Sequence, residues 1–138
     1  VANLAARLEG MTKQVQAPIL IDAATAIAVR ATLPPAAGRV RRLARVRPYG
    51  LESAVDVSEL LPSSTEFPQL SDGHVAHFEQ AVAAMFGDDG ECDWSRAFEL
   101  LHQVPAEDRA KDFLTIYMAG HGRTPPANWD RTISLQSK

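Results

Sequence analysis

The sequence predicts an α+β protein in which an α/β segment, residues 1–62, precedes a small helical appendage, residues 74–138. Two observations favour this class. Short apolar runs alternate with helical stripes in the first segment, whereas the second carries three helical stripes in succession. Residues 1–62 hold eight Lys and Arg against five Asp and Glu, and the remainder holds six against twelve. The charge changes sign at residues 63–73, a stretch with Ser, Thr and Pro that we interpret as a linker.

The composition excludes several classes of protein. Hydrophobic residues make up 46% of the 138 positions and charged residues 22%, which is typical of a globular domain and not of a disordered chain. No apolar run approaches the roughly 18 residues that a membrane helix needs. Cys92 is the only cysteine, so an internal disulfide is excluded and a reducing, cytoplasmic compartment is favoured. The sequence starts at Val1 inside a helical stripe, and we expect a longer protein.

The first segment is predicted to begin as helix, strand and helix. The stripe of the first helix has the spacing of one amphipathic face and consists of Leu4, Leu8, Met11 and Val15. Pro18 ends that helix, and residues 19–21 form a short apolar run that predicts a buried strand. Asp22 has the position of an N-cap for a second helix over residues 23–29.

A β-hairpin is predicted to complete the first segment. Residues 40–47 and 54–60 have strand-like patterns, and residues 48–53 carry the Pro and Gly of a turn region. These strands are too few to close a sheet on their own. The segment therefore resembles part of an α/β unit.

The second segment is predicted to form three amphipathic helices. Their apolar stripes are Phe78, Ala81, Val82, Met85 and Phe86; Trp94, Ala97, Phe98 and Leu101; and Ala110, Phe113, Leu114, Tyr117 and Met118. Asp93 is the expected N-cap of the second helix, and Pro105 is the expected start of the third. Residues 133–136 are predicted to be extended. Helices with one apolar face must pack on one another or on the first segment.

Asn3 and Arg7 are the first candidates for a functional site. At positions i and i+4 they lie on one side of the predicted helix, about 100° from its apolar stripe. An amide and a guanidinium side by side suit phosphate or ribose oxygens. On spacing alone, a solvated helix face is the more common explanation of such a pair.

Residues 1–9, V-A-N-L-A-A-R-L-E, resemble a signature of the class III adenylate/guanylate cyclases, in which a helix of the type V-N-x-A-A-R-L-E follows the nucleotide-binding strand and loop. The similarity continues through a hydrophobic strand, a small helix and a hairpin that ends in V-x-V-x-E-L, here residues 55–60. It covers residues 1–62, which would be the C-terminal part of the cyclase catalytic domain. The resemblance implies a partial ferredoxin-like α/β unit.

The second segment resembles a different feature of the same proteins. Residues 78–118 look like one tetratricopeptide-type repeat followed by half of another, and a single repeat buries its faces poorly. A helical tail that ends in P-P-x-x-W-D follows the cyclase domain in many bacterial cyclases, and residues 125–130 fit that ending. This order implies a docking appendage after the catalytic domain. An unrelated α/β fragment is the remaining alternative, and it would require both matches, in residues 1–62 and in the helical tail, to be accidental.

The resemblance implies an enzyme that acts as a dimer, with sites at the interface. Two metal-bound aspartates of one partner would activate the ribose 3′-hydroxyl of ATP, with GTP the second choice, and the attack gives 3′,5′-cyclic AMP and pyrophosphate. Asn3 would orient the ribose, and Arg7 would stabilise the pentacoordinate phosphorus. The Mg²⁺ or Mn²⁺ ligands and the base-selecting residues would precede Val1. We therefore expect this chain alone to be inactive.

One departure from the family pattern bears on activity. The hairpin turn of such cyclases often carries V-K-G, whose Lys contacts the triphosphate, and Tyr49 stands in that place here. Arg45 and Arg47 are the basic residues near enough to take over the contact. The alternative is a catalytically silent cyclase-like unit that serves as a dimerisation or protein-interaction module.

Two other patterns indicate weaker candidates. Five arginines lie within nine residues: Arg39, Arg41, Arg42, Arg45 and Arg47. No aromatic residues are interleaved with them and the pI is about 5.8, so a solvated or dimer-facing strand is favoured over a nucleic-acid-binding one. Zinc ligands would have to come from His74, His77, Cys92 and His102. No closely spaced pair such as C-x-x-C supports that site, and we predict no metal ligands in this chain.

Overall fold

The computed structural model describes residues 2–135, with side chains from Leu4 onward. Within that range the chain forms five α-helices and four β-strands, which confirms the α+β class. In chain order these are α1 (Ala2–Val15), β1 (Leu20–Asp22), α2 (Ala23–Thr32), β2 (Arg39–Arg47), β3 (Val55–Leu61), α3 (Asp72–Phe86), α4 (Trp94–His102), α5 (Ala110–Gly120) and β4 (Ile133–Ser134).

The four strands form one mixed sheet in the order β1-β3-β2-β4. Strand β3 pairs antiparallel with β1 and with β2, as expected for a hairpin. Strand β4 is the extended piece predicted near the C-terminus, and it runs parallel to β2 with Val46 opposite Ile133 and Arg47 opposite Ser134. The last strand therefore belongs to the sheet of the first segment.

A β-bulge interrupts β2. Arg42 lies opposite Ser58 while Ala44 lies opposite Val57, so Leu43 is the extra residue. Such a bulge exchanges the faces of the strand, because the side chains of a strand alternate with a period of two. Arg41 is therefore buried before the bulge, whereas Ala44 and Val46 are buried after it and Arg45 and Arg47 are not.

Local capping explains where the predicted helices begin. The Asp22 carboxylate accepts the backbone N–H of Thr25 at 2.8 Å, and hydrogen bonds from Thr25 lower the pKa of Asp22. Asp93 caps α4 in the same way, with the Arg96 N–H at 3.0 Å. Both predicted N-caps are confirmed. Ser71 caps α3 with His74 in a reciprocal capping box that the sequence reading missed.

The helices of the second segment pack on one another and on the sheet. Trp94 of α4 is buried and its indole N–H donates to the Met85 carbonyl of α3 at 3.1 Å. Phe78 and Met85 belong to the same buried cluster as Leu8 of α1 and Val57 of β3. The boundary at residues 63–73 stays a prediction, while the buried cluster itself is continuous across it.

Two predicted elements are wrong in detail. Residues 19–21 were expected to be a buried strand, but β1 is an edge strand and Ile19 is 50% exposed. Pro105 was expected to start the third helix, but α5 begins at Ala110. The reason is a turn in which the Asp108 N–H donates to the Pro105 carbonyl, and this turn carries the Asp108 side chain into the interior. Within residues 2–135 no helix combines the length and apolarity that crossing a membrane requires.

Candidate functional site

Arg7 lies against the loop between β2 and β3, residues 48–53. Its Nη1 donates a hydrogen bond to the Tyr49 carbonyl at 2.5 Å. The Leu51 N–H donates to the Pro48 carbonyl and closes a turn that needs Gly50 at φ +81°. The fold therefore joins two predicted site residues that are 42 positions apart, the helix arginine and the residue in the family's Lys place.

Gly50 allows the close approach of Arg7. A Cβ built on Gly50 would lie 3.3 Å from Nη1 of Arg7 and 3.5 Å from Nη2. Two independent features thus favour glycine here: the positive φ and the guanidinium packed against its Cα. The backbone of the loop therefore binds and positions the Arg7 guanidinium.

Arg7 carries a charge that no described carboxylate neutralises. Among the ion pairs of residues 4–135, none includes Arg7, whereas Arg45 and Arg47 both pair with aspartates. A carbonyl partner orients a guanidinium without cancelling its charge, because the carbonyl is neutral. Of the three predicted site arginines, Arg7 is the one without a carboxylate partner among the described residues.

Asn3 lies one helical turn before Arg7 in α1. Its side chain falls outside the part of the chain whose side chains are described, so its predicted ribose contact stays a prediction. The backbone places it at i−4 from Arg7, as the spacing requires.

Arg47 is occupied by the loop and by the C-terminal residues. Its Nε donates to the Glu52 carbonyl at 3.1 Å, its Nη1 to Ser134 Oγ at 2.6 Å, and its Nη2 to Asp130 Oδ2 at 2.9 Å. All three guanidinium nitrogens are therefore in use. Two of its five N–H groups remain, and a triphosphate contact by Arg47 would compete with the Asp130 carboxylate for the guanidinium charge.

Arg45 and Tyr49 are more accessible than Arg47. Arg45 has a side chain that is 44% exposed and a long contact to Asp56, 3.4 Å. Tyr49 is 46% exposed as a residue. Both lie at or next to the loop that contacts Arg7, and their proposed triphosphate contacts stay predictions.

The expectation of a solvated or dimer-facing arginine strand is wrong for Arg41, which is 1% exposed. Its guanidinium donates to both Asp108 oxygens at 2.6 and 2.7 Å and to Glu59 Oε1 at 2.7 and 3.0 Å. The Phe78 ring stacks on it, with Cζ 3.9 Å from the ring centre. Arg41, Glu59 and Asp108 thus form a buried ion triad with one positive and two negative groups.

The charge balance of the triad shifts two pKa values. Burial opposes the charged form of Arg41, yet hydrogen bonds and the charges of Asp108 and Glu59 raise its pKa overall. Burial raises the pKa of Glu59, and the attraction of Arg41 only partly offsets this rise. One guanidinium cannot fully compensate two buried carboxylates.

Three other arginines of β2 also bind the second segment. Arg42 contacts Asp88 at 2.5 Å, and Arg39 donates to the Leu70 carbonyl at 2.7 Å and to Asp72 at 3.2 Å. With Arg41–Asp108 and Arg47–Asp130, four of the five arginines pair with acidic residues from beyond position 62 in the described chain. The change in the sign of the net charge along the sequence therefore reflects ion pairs between two segments that pack together.

Two of the histidines considered as zinc ligands, His74 and His102, have other partners. His74 Nδ1 accepts the Ser71 N–H, and His102 Nδ1 contacts the Phe98 carbonyl. Between residues 4 and 135 no three His, Cys, Asp or Glu side chains are grouped closely enough to hold a metal ion. The described residues thus do not fit the Mg²⁺ or Mn²⁺ that the resemblance implies, whose ligands were expected before Val1.

Sequence reasoning missed the partners of these arginines. Asp108 follows Pro105, the predicted start of the third helix, and Asp130 belongs to the P-P-x-x-W-D ending, so neither was predicted to bind an arginine. The available signal was the charge complementarity between the two segments, which indicates pairing but not which residues pair.

Comparison with known proteins found no match among protein families, curated proteins or solved structures.

Proposed function

We propose that this chain is the C-terminal portion of a nucleotide cyclase that converts ATP to 3′,5′-cyclic AMP and pyrophosphate for cytoplasmic signalling. The observation that carries the proposal is Arg7: a guanidinium held by a backbone carbonyl, with no carboxylate partner among the described residues. It lies beside the loop that the family uses on the triphosphate side. The element order helix, strand, helix and hairpin supports the same reading.

The chemistry that Arg7 would supply follows from its geometry. Attack of the ribose 3′-oxygen on the α-phosphorus concentrates negative charge on the equatorial oxygens while the bond to pyrophosphate breaks. A planar, permanently charged donor fork is suited to those oxygens. Because the Tyr49 carbonyl uses Nη1, the remaining N–H groups of Arg7 are the ones proposed to contact phosphate.

Asn3 is proposed to orient the ribose of the same nucleotide. It precedes Arg7 by one helical turn, about 6 Å along the axis, so an amide and a guanidinium could reach adjacent parts of one substrate. ATP is the proposed substrate and GTP the second choice. The divalent cation and its ligands are proposed to come from the longer protein and its dimer partner.

The finer fold assignment is part of the proposal. Residues 1–62 would be the last part of a ferredoxin-like cyclase domain, and β1 would continue its sheet at the free edge. Helices α3 to α5 would be a tetratricopeptide-like appendage. Their packing against β2 through paired charges supports an appendage that is fixed to the catalytic unit.

Cyclic-nucleotide production tests the function. The longer protein with the upstream cyclase domain would be assayed with ATP and GTP in the presence of Mn²⁺. We expect cyclic AMP, and a loss of about 10²–10³ in rate in Arg7→Ala. Arg96→Ala, an exposed arginine of α4, is the matched control and should keep its rate. A folded dimer that makes neither product would contradict the proposal.

The second candidate is a catalytically silent unit that binds a partner or sets the dimer. Two observations favour it: Arg47 is already paired with Asp130 and Ser134, and Tyr49 stands in the place of the triphosphate Lys. An apolar cleft between α1 and β1, lined by Leu8 and Ile21, offers a surface for contact. Dimerisation without any cyclic product would favour this function, and product formation would exclude it.

A further inference from the structure

We propose that the C-terminal residues 129–135 position the Arg7 guanidinium, acting through Arg47 and the loop 48–53. Asp130 and Ser134 hold Arg47, Arg47 holds the loop, and the loop holds Arg7. The meaning of this relay for catalysis depends on the proposed function. The position of the Arg7 side chain depends on these contacts whether or not the protein is a cyclase.

The C-terminal residues are firmly anchored at both ends. The Trp129 ring packs edge-on against Trp94 with centres 5.1 Å apart, and its N–H donates to the Tyr117 hydroxyl at 3.1 Å. Ile133 is buried in the core, and the Leu135 N–H donates to the Arg47 carbonyl at 3.0 Å. Helices and sheet thus fix the segment that presents Asp130 and Ser134.

Asp130 divides its carboxylate between two tasks. Oδ1 accepts the Thr132 N–H at 3.2 Å and shapes the turn, whereas Oδ2 pairs with Nη2 of Arg47 at 2.9 Å. Ser134 Oγ accepts from Nη1 of the same guanidinium. An aspartate and a hydroxyl on one guanidinium hold its plane as well as its position.

Arg47, held in this way, also binds the loop. Its third nitrogen, Nε, donates to the Glu52 carbonyl within the loop. Three residues earlier in the same loop, the Tyr49 carbonyl accepts from Arg7. Among the described hydrogen bonds, the one within the loop runs from the Leu51 N–H to the Pro48 carbonyl, so losing the Arg47 contact would loosen the Tyr49 carbonyl that binds Arg7. Asp130, Ser134 and Arg47 are therefore positioning residues.

Arginine-selective labelling tests this relay in the 138-residue chain. A dicarbonyl reagent modifies accessible guanidinium groups, and mass spectrometry of peptides gives the rate for each arginine. Asp130→Asn retains an oxygen for the Thr132 N–H and removes the ion pair to Arg47. Asp72→Asn is the matched control, because it removes an exposed aspartate that pairs with Arg39, away from the loop. The rate of Arg96 is the internal reference.

We expect Asp130→Asn to raise the labelling rate of Arg7 about two- to fivefold, the factor that an exposed ion pair supports. The Arg96 rate should stay unchanged, and high salt should bring the wild-type Arg7 rate towards that of the variant. Arg47→Met, which removes all three contacts, should give at least as large an increase.

Two results would overturn the relay: an Arg7 rate in both variants equal to that of Asp72→Asn, or parallel increases at Arg7 and Arg96, which indicate general loosening. The assay needs no nucleotide and no turnover. Absence of cyclase activity therefore leaves its outcome unaffected, and an unchanged Arg7 rate in an active cyclase would remove the relay alone.

Discussion

The two ends of β2 use the same residue type in opposite ways. At the first end, Arg41 is buried and shared between two carboxylates, Glu59 and Asp108. At the other end, Arg45 and Arg47 are partly exposed and border the loop that contacts Arg7. Arg41 is enclosed by its two carboxylates and contributes only to packing, whereas Arg45 and Arg47 keep part of their side chains exposed beside the candidate site.

The bulge at Leu43 separates these two ends. Before it the odd-numbered residues Arg41 and Leu43 are buried, and after it the even-numbered residues Ala44 and Val46 are buried. Without the extra residue, strict alternation would put the outer arginines on the same face as Arg41. The bulge therefore decides which arginines join the core and which reach the loop.

The largest expected effect on stability comes from removing Arg41, which pairs with Glu59 and Asp108. Arg41→Ala would leave the Glu59 and Asp108 carboxylates buried without their shared partner, so we expect a loss of about 3–5 kcal/mol in the free energy of unfolding. Urea unfolding followed by circular dichroism measures it. Arg45→Ala, at the outer end, should change the free energy by less than about 1 kcal/mol. Equal losses in the two variants would erase the distinction between the ends.

A smaller effect is expected at the loop. Gly50→Ala combines a strained φ with a Cβ 3.3 Å from Arg7 Nη1, so we expect it to destabilise by about 1 kcal/mol. Gly10→Ala in α1 is the matched control. Its Cβ would meet nothing within 4 Å, and it should stabilise the helix by about 0.5–1 kcal/mol. A stabilising Gly50→Ala would show that the loop does not need this conformation.

The pH dependence of the triad gives the finest test. Burial raises the pKa of Glu59 above its ordinary value of 4.5, so the folded state binds the Glu59 proton more tightly than the unfolded state. Its contribution to stability is present below pH 4.5 and is lost as the pH rises through the raised pKa. The stability of wild type minus that of Glu59→Gln should therefore fall as the pH rises above about 4.5. An increase over that range would mean that Arg41 fully compensates Glu59.

Local chemistry made much of the fold predictable. The caps at Asp22 and Asp93 depend on hydrogen bonds three residues away, and the stripe of α1 depends on one face of one helix. These features need no knowledge of distant residues. For the same reason the pairing of β2 with β3 followed from the hairpin pattern alone.

Features that depend on distant partners were missed. Pro105 is a reasonable first residue of a helix, but the pull of Arg41 on Asp108 favours a turn there and delays α5 to Ala110. The adjacent apolar residues Leu43 and Ala44 break the alternation of β2, but this pattern alone does not predict a bulge or its register against β3. At the site, Arg7 was predictable from the resemblance, whereas its hydrogen bond to the Tyr49 carbonyl depends on tertiary structure.

The division of the Arg7→Ala effect between kcat and KM tests the central claim most directly. Arg7 is proposed to meet charge that develops in the transition state, so kcat for cyclic AMP formation by the longer protein should fall about 10²–10³-fold with KM for ATP nearly unchanged. Arg7→Lys should recover little, because it retains the charge but loses the donor fork. An unchanged kcat with a raised KM would contradict the claim and reduce Arg7 to a ground-state phosphate contact.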